Sequence, residues 1–178
     1  MKEAQLLIET IENKYLWEKE VVINRNEYLK VKGSIDTNLY FIEEGSLRIY
    51  HIDEYEEHTI RFGYQNNFIV SLDCFITEQP SDYYIQALKK TKLKVLKKST
   101  FKQLINSEKE LQNFWTLILE QIVLQQLERE KDILTSSSIE RYKRVLKRSP
   151  QLFQEIPNKY IANYLKMAPE TLSRLKKS

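Results

Sequence analysis

Between residues 18 and 97 the apolar positions follow a two-residue period, the mark of strands that lay one face on a core. Eight runs stand out: Val21–Ile23, Tyr28–Val31, Leu39–Ile42, Leu47–Tyr50, His58–Phe62, Phe68–Val70, Tyr83–Leu88 and Leu93–Leu96. Each is short and rich in β-branched or aromatic residues. Turn formers separate them at Asn24/Asn26, Gly33-Ser34, Glu44-Gly45-Ser46, Asp53-Glu54, Gly63 and Gln79-Pro80-Ser81. The pattern predicts short antiparallel strands in a jelly-roll-like barrel. A short amphipathic helix precedes them, with Leu6, Leu7 and Ile11 on one side.

After the last strand the period becomes helical. A turn of helix at Ser99–Ile105 leads into Ser107–Leu134, a stretch without Gly or Pro. Along it Leu111, Trp115, Ile118 and Ile122 step by four, three and four, and Phe114, Leu117, Leu124 and Leu127 widen the face. Such a helix spans ~40 Å, more than one side of a small barrel covers, so part of its face needs another partner. Thr135-Ser136-Ser137-Ser138 breaks the pattern as a hinge. Ser138 is placed to cap a helix over Ile139–Lys147 that buries Tyr142, Val145 and Leu146 and exposes Arg141, Arg144, Lys147 and Arg148. Ser149-Pro150 ends it.

The last stretch, Ile156–Lys177, has the form of a helix-turn-helix. Ile161, Leu165, Met167, Leu172 and Leu175 supply a shared core, Ala162 is small where the helices touch, and Pro169 suits the first turn of the second helix. Lys166 falls where the turn tends to need a positive φ; lysine accepts it at a cost of about 1 kcal/mol. The second helix carries Glu170, Thr171, Ser173 and Arg174 near its start, the usual way to present side chains to a major groove. An amphipathic helical hairpin without a DNA role is the alternative.

Charge sharpens the division. From residue 139 onward ten basic residues face three acidic ones, a net +7, which leaves −4 for residues 1–138 of a chain at +3 overall. A basic end on an acidic body is what a phosphate-binding module joined to another module would show. Cys74 is alone and His51 and His58 are the two imidazoles, so disulfides, cysteine-held clusters and zinc knuckles are excluded and a histidine metal site is disfavoured. No metal or cofactor is expected. No nucleophile motif or Gly-rich phosphate loop points to an enzyme. With no signal-peptide-like run and no membrane-length apolar segment, the expected location is cytoplasmic.

Val31-Lys32-Gly33-Ser34 followed by Leu39–Tyr50 resembles the opening of a cyclic-nucleotide-binding-type β-roll. With the C-terminal motif, the chain resembles the Crp/Fnr family of bacterial transcription regulators over residues 18–177. The resemblance implies an α+β fold with an antiparallel β-roll over 1–106, a dimerisation helix and hinge over 107–137 and a helix-turn-helix over 138–178. It implies a homodimer on a near-palindromic operator with half-sites ~34 Å apart. The DNA-facing residues are then Pro169, Glu170, Thr171, Ser173, Arg174, Lys176 and Lys177, with Glu170 accepting from a cytosine amino group and Arg174 donating to a guanine. Thr171, Lys176 and Lys177 meet phosphates. The dimer seam is expected at Leu111, Phe114, Trp115, Ile118 and Ile122, with packing of this helix along its own roll as the alternative. The short Gln151–Ile156 link leaves little room for wing strands, and no contacts from a longer C-terminal wing are expected. Asp53–Glu57 is a candidate contact for RNA polymerase, or simply a solvated hairpin tip.

In members of the family that bind cyclic nucleotides, a Gly-Glu pair meets the ribose and an Arg followed by a small residue neutralises the phosphate. Val70-Ser71 and Ser81-Asp82 stand at those positions, and Asp73 and Asp82 would repel an anion. Losing a buried charge partner costs about 3–5 kcal/mol, so the resemblance implies that cyclic AMP and cyclic GMP do not bind usefully. An unknown effector, neutral or apolar, would sit near Phe68, Ser71, Leu72, Ser81, Asp82, Tyr83 and Tyr84; the same aromatics filling the roll is the alternative. A β-roll signalling or interaction module that has lost DNA binding competes with the regulator reading.

Overall fold

A computed structural model describes residues 2–177, with side chains from Leu7 onward. Helix α1 (Lys2–Asn13) precedes eight strands: β1 (Lys19–Ile23), β2 (Tyr28–Lys30), β3 (Leu39–Glu44), β4 (Ser46–Asp53), β5 (Glu56–Tyr64), β6 (Phe68–Ile69), β7 (Tyr84–Ala87) and β8 (Thr91–Leu96). They form two antiparallel four-stranded sheets, ordered β1-β8-β3-β6 and β2-β7-β4-β5, so the jelly-roll expectation holds. The inward residues Ile23, Tyr40, Ile42, Leu47, Ile49, Ile69, Ile85, Leu93 and Val95 make the core between the sheets, which is the physical content of the two-residue period. Leu7 and Ile11 of α1 are buried as expected; the Leu6 side chain lies outside the described residues.

Two glycines behave differently. Gly45 joins β3 to β4 at φ +98°, and a Cβ there would meet Thr91 Oγ1 at 2.4 Å and the Lys90 carbonyl oxygen at 2.5 Å. Gly63, expected at a turn, lies inside β5 instead. Its missing side chain lets Ile42 and Ile69 pack against the strand.

Helix α2 (Leu72–Thr77) sits between β6 and β7, and α3 (Lys98–Ser107) and the long α4 (Lys109–Leu134) follow β8. The expected dimer seam divides here. Leu111 and Phe114 are buried in the protomer's own second core with Leu7, Ile11, Leu39, Phe75, Leu96, Phe101, Leu104 and Ile105. Trp115 packs edge-on to Phe101 at 4.9 Å, and Ile118 lies against the same cluster. The apolar face of the first turns of α4 is therefore consumed by α1 and α3; Ile122 remains half-exposed. Exposed apolar residues fall on other faces, at Leu117, Leu119, Val123, Leu124 and Leu127.

Helix α5 (Ser138–Arg148) starts one residue earlier than read, because Ser137 and not Ser138 is its cap, accepting from Glu140 N–H at 3.4 Å. Arg144 and Arg148, expected to face solvent, turn back to α4. Arg144 Nε lies 2.9 Å from Asp132 Oδ1, Arg148 pairs with the same carboxylate, and Arg144 also reaches Glu128 at 2.9 Å. Asp132 is fully buried, and a buried carboxylate requires such partners. After α6 (Leu152–Glu155), α7 (Asn158–Tyr164) and α8 (Pro169–Leu175) complete the chain, and no strand follows β8 among the described residues.

Candidate nucleic-acid interface and effector pocket

Helices α7 and α8 form the expected helix-turn-helix. Ile161, Ala162, Leu165 and Leu172 are fully buried and continue into Val145, Leu152 and Ile156, while Met167 packs against the edge. Lys166 takes φ +51°, the left-handed turn position foreseen for it. Met167 N–H then closes on the Ala162 carbonyl at 3.0 Å. Arg141 fastens the turn: its guanidinium donates to the carbonyls of Leu165 at 2.9 Å and Lys166 at 3.1 Å, and to those of Thr135 at 2.6 Å and Ser136 at 2.9 Å.

Pro169 stands at the first turn of α8, and Glu170, Ser173, Arg174 and Lys177 are exposed, with Thr171 half-buried. Lys176 instead donates to Asn158 Oδ1 at 2.8 Å, which turns it toward α7. Among the described residues Lys143, Lys147, Arg174 and Lys177 have no ion-pair partner. Free positive charge is thus concentrated on fewer side chains than the count of ten implied, because Arg144 and Arg148 are neutralised within the fold.

The motif is docked on the β-roll. Strand β5 is the edge of its sheet, and two of its main-chain groups are met by one side chain of α7. Asn163 Nδ2 donates to the Glu57 carbonyl at 2.7 Å, and Asn163 Oδ1 accepts from Thr59 N–H at 2.8 Å. Arg129 of α4, almost fully buried, lies 3.7 Å from the centre of the Tyr164 ring and approaches the Thr59 carbonyl at 3.5 Å. Burial lowers the pKa of this guanidinium, opposed by Tyr164 and Asp132. Phe62 meets Tyr164 at 5.4 Å, and Leu88 enters the core of the motif. Arg48, buried in β4, stacks on Tyr50 and Tyr160 and bonds to Gln86 and Glu57. Lys166 Nζ lies 2.6 Å from His58 Nδ1. None of Arg48, His58, Arg129 and Asn163 was a site residue in the sequence. Only the mid-strand position of Arg48 was a visible signal, since a charge inside an apolar run calls for partners.

The effector-pocket residues are brought together only in part. Phe68 packs near Trp17 and Phe41 under α1, while Tyr84 stacks on Tyr50 at 5.2 Å in the other sheet. Asp82 is exposed and pairs with Lys32 at 3.2 Å, and Leu72 is half-buried. Ser71 and Ser81 do meet. Both are buried, with their hydroxyl oxygens 3.0 Å apart; Ser71 Oγ is also 3.0 Å from Asp73 Oδ1, and Tyr83 N–H donates to Ser81 Oγ at 3.1 Å. Hydroxyls that would serve a phosphate are committed to a carboxylate and to each other. A buried cation, Lys30, stands close by, but it pairs with Asp36 at 2.9 Å and donates to the Asp36 carbonyl at 2.7 Å. Burial pushes its pKa down to about 8, with Cys74 and Asp73 acting in the opposite direction. A groove of about 330 Å³ opens beside it, lined by Tyr28, Lys30, Val31, Ile35 and Asp36 among others.

The sequence of residues 20–108, half of the chain, matches the cyclic nucleotide-binding domain family, and the chain belongs to that family. Its fold as a whole is that of Crp/Fnr transcription regulators. FixK2 from Bradyrhizobium japonicum superposes with a TM-score of 0.71 at 14% identity, over 89% of this chain and 82% of that one. The c-di-GMP-responsive global regulator CLP of Xanthomonas campestris gives 0.68 at 14% identity, over 96% and 90%. A protein assigned to the Crp/Fnr family from Eubacterium rectale gives 0.66 at 18% identity, over 94% and 82%. No curated protein sequence matches this chain significantly.

Proposed function

We propose that the protein is a sequence-specific DNA-binding transcription regulator, not an enzyme, that works in the cytoplasm as a homodimer on a palindromic operator. The observation that carries this reading is the free outer face of α8, where Glu170, Ser173, Arg174 and Lys177 are exposed on a packed helix-turn-helix. In this reading residues 1–106 are the β-roll module, 107–137 the dimerisation helix and hinge, and 138–178 the DNA-binding module. Pro169 and Thr171 set the start of α8 against the duplex, Glu170 and Arg174 read base edges, and Lys177 meets phosphate, with Lys176 joining once it leaves Asn158. Among the described residues no helix is long and apolar enough to cross a membrane.

The dimer seam moves in this proposal to the exposed side of α4. Thr116, Leu119, Glu120, Val123 and Leu124 line a shallow groove of about 470 Å³ there, and Leu127 extends the apolar stripe. Ile122 flanks it. Cyclic AMP is not the effector, because the Ser71–Ser81 pair offers no cation and Lys30 is already neutralised by Asp36. The same shortage of cations disfavours a cyclic dinucleotide of the kind to which CLP responds. The acidic hairpin tip is the proposed contact for RNA polymerase: Tyr55 is 98% exposed there, although Glu57 is withdrawn to Arg48.

The alternative, a β-roll module that has lost DNA binding, draws support from the internal neutralisation of Arg144 and Arg148. Selection from a random double-stranded DNA pool with the purified protein separates the two. Enrichment of a palindrome with half-sites one turn apart is expected, and Arg174→Ala should relax base preference at one position per half-site. Absence of any enriched sequence, with and without cell extract, would favour the alternative.

A further inference from the structure

Two histidines stand at the joint between the β-roll and the helix-turn-helix. His51 of β4 and His58 of β5 are cross-strand partners with ring centres 5.1 Å apart, and His58 Nδ1 faces the ammonium group of Lys166 at 2.6 Å. Lys166 is the turn residue held at positive φ, and its own carbonyl is bound by Arg141. The turn is therefore clamped from both sides. One clamp is an arginine, which keeps its charge; the other includes an imidazole, a side-chain type that can change its charge near neutral pH.

We propose that the His58–Lys166 contact is a proton-sensitive latch that holds the helix-turn-helix on the edge of the β-roll and opens when His58 is protonated. With neutral His58, Nδ1 accepts a hydrogen from the Lys166 ammonium. Once Nδ1 carries a proton it has nothing to accept with, and imidazolium and ammonium repel at the same short distance. The groups around His58 reinforce this sign. From the turn between α7 and α8 comes the Lys166 cation; from β4 comes the second imidazole, His51; from the residue just before β7 comes Tyr83, edge-on to His51 at 6.4 Å. From α4, Arg129 adds a further positive charge one residue along β5, at the Thr59 carbonyl. The adjacent carboxylate, Glu57, is held by Arg48 at 2.6 Å and does not compensate.

The element with two arrangements is the docking itself. Asn163, three residues before Lys166, satisfies the Thr59 amide and the Glu57 carbonyl only while α7 lies on β5. Loosening the turn exchanges those hydrogen bonds for water and frees the orientation of α8 relative to α4. The inference concerns the docking and stands whether or not α8 reads DNA.

Amide hydrogen exchange of the full chain at pH 7.5 and 5.5, corrected for intrinsic rates, tests it at the Thr59 amide and along α7. Protection there should fall roughly tenfold at the lower pH relative to strands β3 and β8, which lie away from the joint. His58→Gln, which stays neutral and keeps an acceptor, should abolish the fall, whereas His51→Gln should reduce but not remove it. Lys166→Met should show the low protection at both pH values. Equal protection of the native chain at the two pH values, an undiminished fall in His58→Gln, or its complete loss in His51→Gln would overturn the assignment.

Discussion

Asn163 closes the open edge of β5 by imitating a neighbouring strand, giving one hydrogen to the Glu57 carbonyl and taking one from the amide of Thr59. Thr59 is buried, so without this side chain its N–H faces neither water nor protein. Asn163→Leu should therefore cost about 1–3 kcal/mol in urea unfolding, the penalty of an unsatisfied buried donor, and should raise exchange at the Thr59 amide selectively. A neutral effect would mean that β5 finds another partner.

The joint between α4 and α5 depends on Asp132. Its carboxylate is fully buried and holds Arg144 and Arg148, with Arg129 one turn away on α4. Asp132→Asn keeps the volume but leaves Arg144 and Arg148 with Glu128 as their remaining acidic partner. Breaking a buried pair costs about 3–5 kcal/mol, and the partial exposure of both arginines places this variant toward the lower figure. Thermal unfolding with and without added salt measures it.

Lys30 makes stability depend on alkaline pH. Its folded pKa is pushed down to about 8 from the ordinary 10.5, so between those values the unfolded chain binds the extra proton and the folded chain does not. Stability contributed through this group rises with pH across that window, by at most about 1.4 kcal/mol per unit. Tyr40 and Tyr64, whose pKa values burial raises, act in the opposite direction above the ordinary tyrosine range. Comparing the native chain with Lys30→Met by denaturant unfolding from pH 7 to 10 isolates the lysine: the difference should shift steadily in favour of the native chain.

The two sides of α4 should respond differently to substitution. Phe114→Ala empties part of the core shared by α1, α3 and α4 and should cost about 3–5 kcal/mol. Val123→Glu, on the exposed stripe, should leave the unfolding temperature of the monomer almost unchanged while abolishing self-association in sedimentation. A stable Phe114→Ala variant, or a Val123→Glu protein that still dimerises, would contradict the division of the helix.

Much of this architecture was legible along the chain. Strands β1 to β8 were marked by local alternation, and Pro169 marked the start of α8 from its backbone requirement, while Lys166 takes the positive φ of the turn although lysine does not favour it. The errors came where a local period had two possible readers. Along α4, apolar residues surround much of the helix, and periodicity could not say which stripe meets the roll and which is left outside. On α5 a basic stripe looked like solvated surface because Asp132, its partner, lies in another helix.

What the sequence by itself determined is therefore what nearest-neighbour physics sets: strand and helix periods, the glycine at position 45 and the proline that opens α8. What only the tertiary structure decided is the joint between the modules. Asn163 reaches Thr59 across 104 positions, and Lys166 reaches His58 across 108. Contacts of that separation leave no period in the chain; the first exists because an unpaired strand edge must find a partner wherever the fold supplies one, and the second follows from the docking it brings about.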